Sequence, residues 1–148
     1  MIYFGFCNCP DICPQSMRKL AKAKELFQSK GINKNIDLKL IFVSVDPDRD
    51  SPERMKKFLS YFGNSFIGVT GLNNDDPKLR EMMRKFKIYS TKIEYELESK
   101  EKSYTLDHTV ISYLMNRENQ YLDHLGSSLN ARDLSVKIDE AIKKDIIP

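Results

Sequence analysis

The stretch FCNCPDICP, residues 6–14, contains every cysteine of the 148-residue chain: Cys7, Cys9 and Cys13. The run IYFGF at 2–6 is rich in the β-branched and aromatic residues of a buried strand. After the cysteines, apolar residues recur at helical spacing. The sequence therefore predicts a cysteine loop between a strand and a helix, which suits a structural staple, a redox dithiol or a soft-metal site.

The predicted helix runs from residue 14 or 15 to 29, with Gly31 as its stop. Proline disfavours the helical conformation in the residue before it, so Cys9 and Cys13, each followed by proline, are predicted to be extended. Pro14 suits a first helical turn and places Cys13 at the helix N-terminus, where the dipole favours a thiolate. Cys9 is close enough along the chain to share a metal ion with it or to form a disulfide.

The remaining chain alternates strands and helices. Strands are predicted at 38–45, 66–71, 109–115 and 120–126, and an extended, hairpin-like excursion at 88–104. Helices are predicted at 131–144 and after two capping pairs, Ser51 with Pro52 and Asp76 with Pro77. This order predicts an α/β fold with a mixed central sheet flanked by helices, and the position of the cysteine pair makes it thioredoxin-like. No linker or repeat divides the chain, so residues 1–148 are predicted to form a single domain.

The composition excludes several classes of protein. Hydrophobic residues make up 41% of the chain and charged residues 30%, as in ordinary globular domains. The net charge is only +3 with no basic stripe, so no nucleic-acid partner is predicted. No apolar run approaches the roughly 18 residues of a membrane span, and no signal peptide precedes the first strand. Because the chain starts directly in a core strand, we expect further sequence upstream in the full-length protein.

The spacing of Cys9 and Cys13 helps to distinguish a thioredoxin-type dithiol from a soft-metal site. A thioredoxin dithiol has two residues between its cysteines and a nearby cis-proline, whereas here three residues intervene and no proline lies between Pro77 and Pro148. Two thiolates and one imidazole suit Cu(I), with Zn(II) as a second option. A redox dithiol remains an alternative. A peroxiredoxin-like peroxidase is disfavoured because the second cysteine is so near and no suitable arginine setting is recognisable.

A third metal ligand has to come from one of two histidines. His108, in LDHTVISYL, lies just before a hydrophobic strand, and His124, in QYLDHLG, lies near the end of the next strand. Both follow an aspartate, so the Asp-His pair does not distinguish them. The sequence pattern alone places His108 only slightly ahead of His124.

Four stretches occur in order along the chain: YFGFCNCPDICP, FVSVDPDRDSPE, GVTG and YTLDHTVISYLM. Together they resemble the Sco/SenC family of copper chaperones, from residue 2 to about residue 144. The resemblance implies a thioredoxin-like fold that binds copper, as Cu(I), through Cys9, Cys13 and His108. It makes His124 a bystander.

The resemblance also implies a role in assembling the Cu(A) site of cytochrome c oxidase. Its partners would be the Cu(A)-containing subunit and an upstream copper donor, with delivery by ligand exchange; a homodimer is left open. Members of the family occur at the mitochondrial inner membrane, facing the intermembrane space, and in the bacterial periplasm, anchored to the membrane. The stretches NCPDICP and YLM of this chain favour the mitochondrial setting. Members carry a membrane anchor and an opening hairpin upstream, so we expect this chain to be shortened at its N-terminus.

Several alternatives stay open at this point. The chain could instead be a thiol–disulfide oxidoreductase that reduces the Cu(A)-site cysteines, with Cys9 and Cys13 as the redox pair, although a metallochaperone is favoured over an enzyme. Cys7 stands where the family commonly has Ser or Thr, and could be passive, a partner in disulfide exchange or an extra ligand. Asp107 could orient His108 or point away. The motif DPDRDSPE is interpreted as a turn and helix cap, with a docking role for Asp46 or Asp48 as the other option.

Overall fold

The computed structural model describes residues 1–30, 35–63 and 65–146. In chain order, this part of the protein forms β1 (Ile2–Gly5), α1 (Ile12–Ser29), β2 (Leu40–Ser44), α2 (Pro52–Ser60), β3 (Phe66–Val69), α3 (Pro77–Lys85), β4 (Ser90–Glu96), β5 (Lys102–His108), β6 (Ile111–Met115), β7 (Tyr121–Gly126) and α4 (Ala131–Ile146). The predicted mixed α/β architecture is confirmed. Gly31, the predicted helix stop, lies outside the described residues.

The central sheet has five strands in the order β3-β2-β1-β6-β7. β1 pairs in parallel with β2, and β2 in parallel with β3. On its other side β1 pairs antiparallel with β6, which continues antiparallel to β7. β1 is therefore the middle strand, and the cysteine loop leaves from the centre of the sheet.

The two faces of β1 bury different sets of aromatic rings, as the alternation of a strand requires. Tyr3 lies on the face shared with Phe42, whose ring contacts Phe58 of α2. Phe4 lies on the opposite face against Phe86 and Tyr113. Both β1 side chains are essentially inaccessible to water. The start of the cysteine loop is thus fixed from both sides by packed core.

β4 and β5 form a two-stranded antiparallel sheet of their own, with no strand pairing to the central sheet in the described chain. Ser90 pairs with His108, so the last residue of β5 sits at the base of the hairpin. The predicted excursion at 88–104 is confirmed as a hairpin, but it extends further. His108 consequently belongs to β5, and Thr109 with Val110 links it to β6.

The helix boundaries follow the predicted caps with one correction. The side chain of Ser51 accepts the N–H of Arg54 at the start of α2, and that of Asp76 accepts two N–H groups at the start of α3. α1, however, begins at Ile12, so the prediction that Cys13 is extended was wrong. Pro14 falls in the first turn, where a backbone N–H has no intrahelical partner, so its ring does not displace Cys13 from the helix. Among the described residues, no helix has the length and apolar character needed to cross a bilayer.

Candidate metal centre

The structure brings Cys13 and His108 together from distant parts of the sequence. Sγ of Cys13 lies 3.4 Å from Nε2 of His108, across 95 positions of chain. Cys13 is fully buried in the first turn of α1, and His108 is 8% exposed at the end of β5. The first helix and the separate hairpin therefore meet at one point.

Cys9 completes this cluster from the loop before α1. Its Sγ accepts the backbone N–H of Cys13, with 3.4 Å between nitrogen and sulfur. The N-cap residue Asp11 makes no side-chain cap, and its carboxylate instead accepts from Gln15. The Cys9 sulfur thus occupies the position of a capping atom at the helix N-terminus, where negative charge is stabilised.

The two sulfurs carry opposite proton states. A hydrogen bond from Cys13 lowers the pKa of Cys9 to about 4, helped by the backbone N–H groups of Cys13 and Asp11, although burial opposes the shift. The same hydrogen bond, together with burial, raises the pKa of Cys13. The thiolate predicted at this helix start is therefore on Cys9, whose sulfur accepts hydrogen bonds there; its assignment to Cys13 was wrong because the Cys13 sulfur is buried and donates to Cys9.

The ring of His108 is held by its backbone neighbour and by an aromatic contact. Nδ1 lies 3.0 Å from the carbonyl oxygen of Thr109. A carbonyl can only accept, so Nδ1 carries a proton and Nε2 is the atom available to a metal ion. Phe6 packs edge-on against the ring, with centroids 5.6 Å apart. Asp107, which the sequence offered as a residue that could orient His108, is exposed. The carbonyl of Thr109 orients the His108 ring instead.

The three donors approach one another without forming a ready-made cage. Within residues 1–30, 35–63 and 65–146, no set of three or more His, Cys, Asp or Glu side chains is arranged to hold a metal ion. Cys9 instead accepts the backbone N–H of Cys13, the Cys13 sulfur lies beside Nε2 of His108, and no disulfide joins the cysteines. Two sulfurs and one imidazole nitrogen are nevertheless the donor types that soft ions such as Cu(I) prefer.

Comparison with known proteins identifies the family. A family model described as SCO1/SenC matches residues 1–143. The chain belongs to the SCO1/SenC family. It is 32% identical over 134 residues to the SCO2-like protein RP587 of Rickettsia prowazekii and 35% identical over 143 residues to the mitochondrial protein SCO1 of Saccharomyces cerevisiae. These matches cover 90% and 97% of this chain, but only 61% and 46% of the relatives, so the chain spans about half of their length.

Solved SCO1/SenC structures share the fold. The crystal structure of Arabidopsis thaliana ScoI with copper bound is 29% identical, with a TM-score of 0.84 over 97% of this chain and 83% of that one. The crystal structure of yeast Sco1 with copper bound is 36% identical, with a TM-score of 0.81 over 96% of this chain and 74% of that one. These neighbours confirm the predicted thioredoxin-like architecture.

The second histidine of this SCO1/SenC chain lies elsewhere. His124 is exposed on β7, at the edge of the central sheet, where its ring stacks on Tyr121. Nδ1 of His124 lies 2.5 Å from the Tyr121 hydroxyl. The structure therefore brings His108, and not His124, to the cysteines.

Cys7 is directed toward a buried carboxylate. Its backbone N–H donates to Oδ2 of Asp50 at 3.0 Å. Burial and the neighbouring Asp50 raise the pKa of the Cys7 thiol to about 12. Cys7 is thus held as a protonated thiol beside the loop that follows β2.

The sequence interpretation missed the residues that surround this carboxylate. The sequence predicts a turn and cap for the motif DPDRDSPE, but Asp46 and Asp50 are both fully buried and the Ser44 hydroxyl is hydrogen-bonded to each of them. The sequence did contain an indication of this network: Asp46 and Asp50 follow a buried strand closely, and aspartates that enter the core need hydrogen-bond partners. Tyr104 had no signal, because its partner Asp46 lies 58 positions away.

Proposed function

We propose that this chain is a copper chaperone that binds Cu(I) through Cys9, Cys13 and His108 and delivers it to the Cu(A) site of cytochrome c oxidase. The observation that carries the proposal is the 3.4 Å approach of the His108 imidazole to the Cys13 sulfur. The Cys9 sulfur, hydrogen-bonded to Cys13, supplies the third donor.

The choice of copper has two supports. Two thiolates and a neutral imidazole match the soft Cu(I) ion better than they match hard cations. Relatives in yeast and Arabidopsis with 36% and 29% identity have crystal structures with copper bound. Cys9 is already deprotonated at neutral pH because its pKa is about 4, so binding releases a proton chiefly from Cys13.

Delivery by ligand exchange follows from the donor set. Thiols of an acceptor, here the Cu(A)-containing subunit, replace the chaperone's sulfurs one after another. Loading from an upstream copper donor runs the same exchange in reverse, with the chaperone's sulfurs replacing those of the donor. The location that fits is the mitochondrial inner membrane, facing the intermembrane space, or the bacterial periplasm, since relatives occur in yeast mitochondria and in Rickettsia.

A second function, thiol–disulfide exchange with the Cu(A)-site cysteines, is favoured by one specific observation. Cys9 is a thiolate and Cys13 a neighbouring thiol, which is the charge distribution of a nucleophilic and a resolving cysteine. Cys9 would attack an acceptor disulfide, and Cys13 would displace the reduced acceptor while a Cys9–Cys13 disulfide forms.

Competition with a Cu(I) chelator on the reduced protein without oxygen tests the first function. We expect one Cu(I) per chain, and loss of binding in Cys9→Ala and in Cys13→Ala; unchanged affinity in either variant would refute the ligand set. Turnover of an acceptor disulfide without metal tests the second. Activity that survives His108→Ala but not Cys9→Ala would assign the chain to redox chemistry.

A further inference from the structure

We infer that the loop after β2 is a positioning device that joins the cysteine half of the metal centre to its histidine half, through Asp50, Ser44, Asp46 and Tyr104. This inference rests on the proposed function, since it concerns the same three donors. It gives the DPDRD segment a role beyond a turn, a helix cap or a docking surface.

The cysteine half is attached through Asp50. Oδ2 of Asp50 accepts the backbone N–H of Cys7 at 3.0 Å and the hydroxyl of Ser44 at 2.7 Å. Cys7 is two residues before Cys9, so this carboxylate fixes the start of the loop that carries both sulfurs. Asp50 and Ser44 are fully buried, so these two bonds are shielded from competing water.

The histidine half is attached through Asp46, which is also fully buried. Oδ1 of Asp46 accepts the hydroxyl of Tyr104 at 2.7 Å, and Oδ2 accepts Nε of Arg49 at 2.5 Å. The Arg49 guanidinium lies over the Tyr104 ring, 3.4 Å from its centroid, and Nη1 donates to the Tyr104 carbonyl at 2.6 Å. Tyr104 is on β5, four residues before His108, so these bonds dock the hairpin.

Ser44 connects the two halves. Its hydroxyl donates to Asp50 and accepts the backbone N–H of Asp46 at 3.0 Å. A continuous path of hydrogen bonds thus runs from the Cys7 amide to the Tyr104 hydroxyl. The path matters because the hairpin has no strand pairing to the central sheet in the described chain.

Helix capping does not account for this arrangement. Ser51 already caps α2, and neither Asp46 nor Asp50 donates or accepts at that helix start. Asp46 is too deeply buried to meet a docking partner. What these side chains do is join the cysteine loop to the hairpin that carries His108.

Two conservative variants, Tyr104→Phe and Ser44→Ala, test the inference. Tyr104→Phe removes the bond to Asp46 but keeps the ring under Arg49, and Ser44→Ala removes the link between the aspartates. The matched controls are Tyr95→Phe, an exposed tyrosine on the same hairpin, and Ser135→Ala, a buried serine of α4 whose hydroxyl has no hydrogen-bond partner in the described structure. Each variant is measured for Cu(I) affinity by chelator competition and for thermal unfolding.

A metal-free measurement separates positioning from stability. Tyr104→Phe is expected to lower Cu(I) affinity on the order of tenfold, as for other residues that hold ligands in place. In the copper-free protein it should also speed hydrogen exchange of the Cys7 amide and shift the His108 ring signals in NMR spectra, while core amides of β1 and β2 stay protected. Ser44→Ala should do the same, and the controls should do neither.

Three results would decide the matter. The inference is overturned if Tyr104→Phe and Ser44→Ala bind Cu(I) like the controls while His108→Ala loses binding. It is also overturned if all amides lose protection together, since the bonds would then serve only global stability. If Cys9→Ala and His108→Ala themselves keep full affinity, the proposed function fails first, and the inference fails with it.

Discussion

Nε2 of His108 faces Sγ of Cys13 at 3.4 Å, although one belongs to the end of a peripheral hairpin and the other to the first turn of the helix behind the central strand. The backbone carbonyl of Thr109 accepts the proton of Nδ1. The unprotonated nitrogen, Nε2, is therefore the one that faces the sulfur. Orientation of a ligating histidine by such a contact is common in metal sites. The relationship makes the two histidines of the chain unequal, and this can be tested directly.

His108→Ala is expected to weaken Cu(I) binding by more than about a hundredfold, above the range for residues that only support a ligand. His124→Ala is the matched control, because that ring lies on β7 and contacts Tyr121. Chelator competition under anaerobic, reducing conditions measures both variants. Equal losses in the two would mean that the imidazole beside Cys13 is not a ligand.

Alkylation of the reduced, copper-free protein should occur first at Cys9. Its pKa is lowered to about 4, so the reactive thiolate is present above that value and the rate falls only as pH drops through about 4. Cys7, with a pKa of about 12, should react only in strongly alkaline solution. Mass spectrometry of the labelled N-terminal peptide after short reaction times assigns the site. First labelling at Cys13 would contradict the charge distribution of the pair.

Cys7→Ser should leave the stoichiometry and affinity of Cu(I) binding unchanged. The Cys7 amide is bonded to Asp50, and its thiol is held protonated beside that carboxylate rather than among the three donors. Cys9→Ser, made in parallel, should lose binding. Loss of a second metal equivalent in Cys7→Ser alone would instead identify Cys7 as an extra ligand.

Gly5→Ala should destabilise the protein by about 1–3 kcal/mol, the range for overpacking in a core, and should also reduce Cu(I) affinity. A Cβ at Gly5 would lie 2.9 Å from Sγ of Cys13 and 3.0 Å from the ring of Phe42. Gly126→Ala is the control, because a Cβ there meets nothing within 4 Å; its effect should stay within about 0.5 kcal/mol. Denaturant unfolding and chelator competition measure the two consequences. A neutral Gly5→Ala would show that the Cys13 side chain yields easily.

Local features were well predicted from the sequence. Ser51 with Pro52 and Asp76 with Pro77 start helices as expected, because a cap and its N1 proline act within one turn. Residues 2–5 of the predicted run at 2–6 form the middle strand, and the cysteine loop follows it. These elements depend on neighbours only a few positions away.

Features that depend on distant contacts were not predictable in the same way. The thiolate was assigned to Cys13 by helix position alone, but burial of that sulfur and its bond to Cys9 reverse the assignment. Choosing His108 over His124 required the family resemblance, since both follow an aspartate. The bond from Tyr104 to Asp46 joins residues with no shared pattern, and only the folded hairpin brings them together.

The separate hairpin divides the three donors between units of unequal stability. A two-stranded sheet is marginally stable by itself in water, whereas Cys9 and Cys13 are anchored to the central strand and the helix packed on it. Local opening of this hairpin, a low-energy fluctuation in folded proteins, would withdraw the His108 imidazole and leave both sulfurs in place. For the proposed copper carrier, this arrangement would free one ligand without unfolding of the core and leave the two sulfurs for exchange with an acceptor.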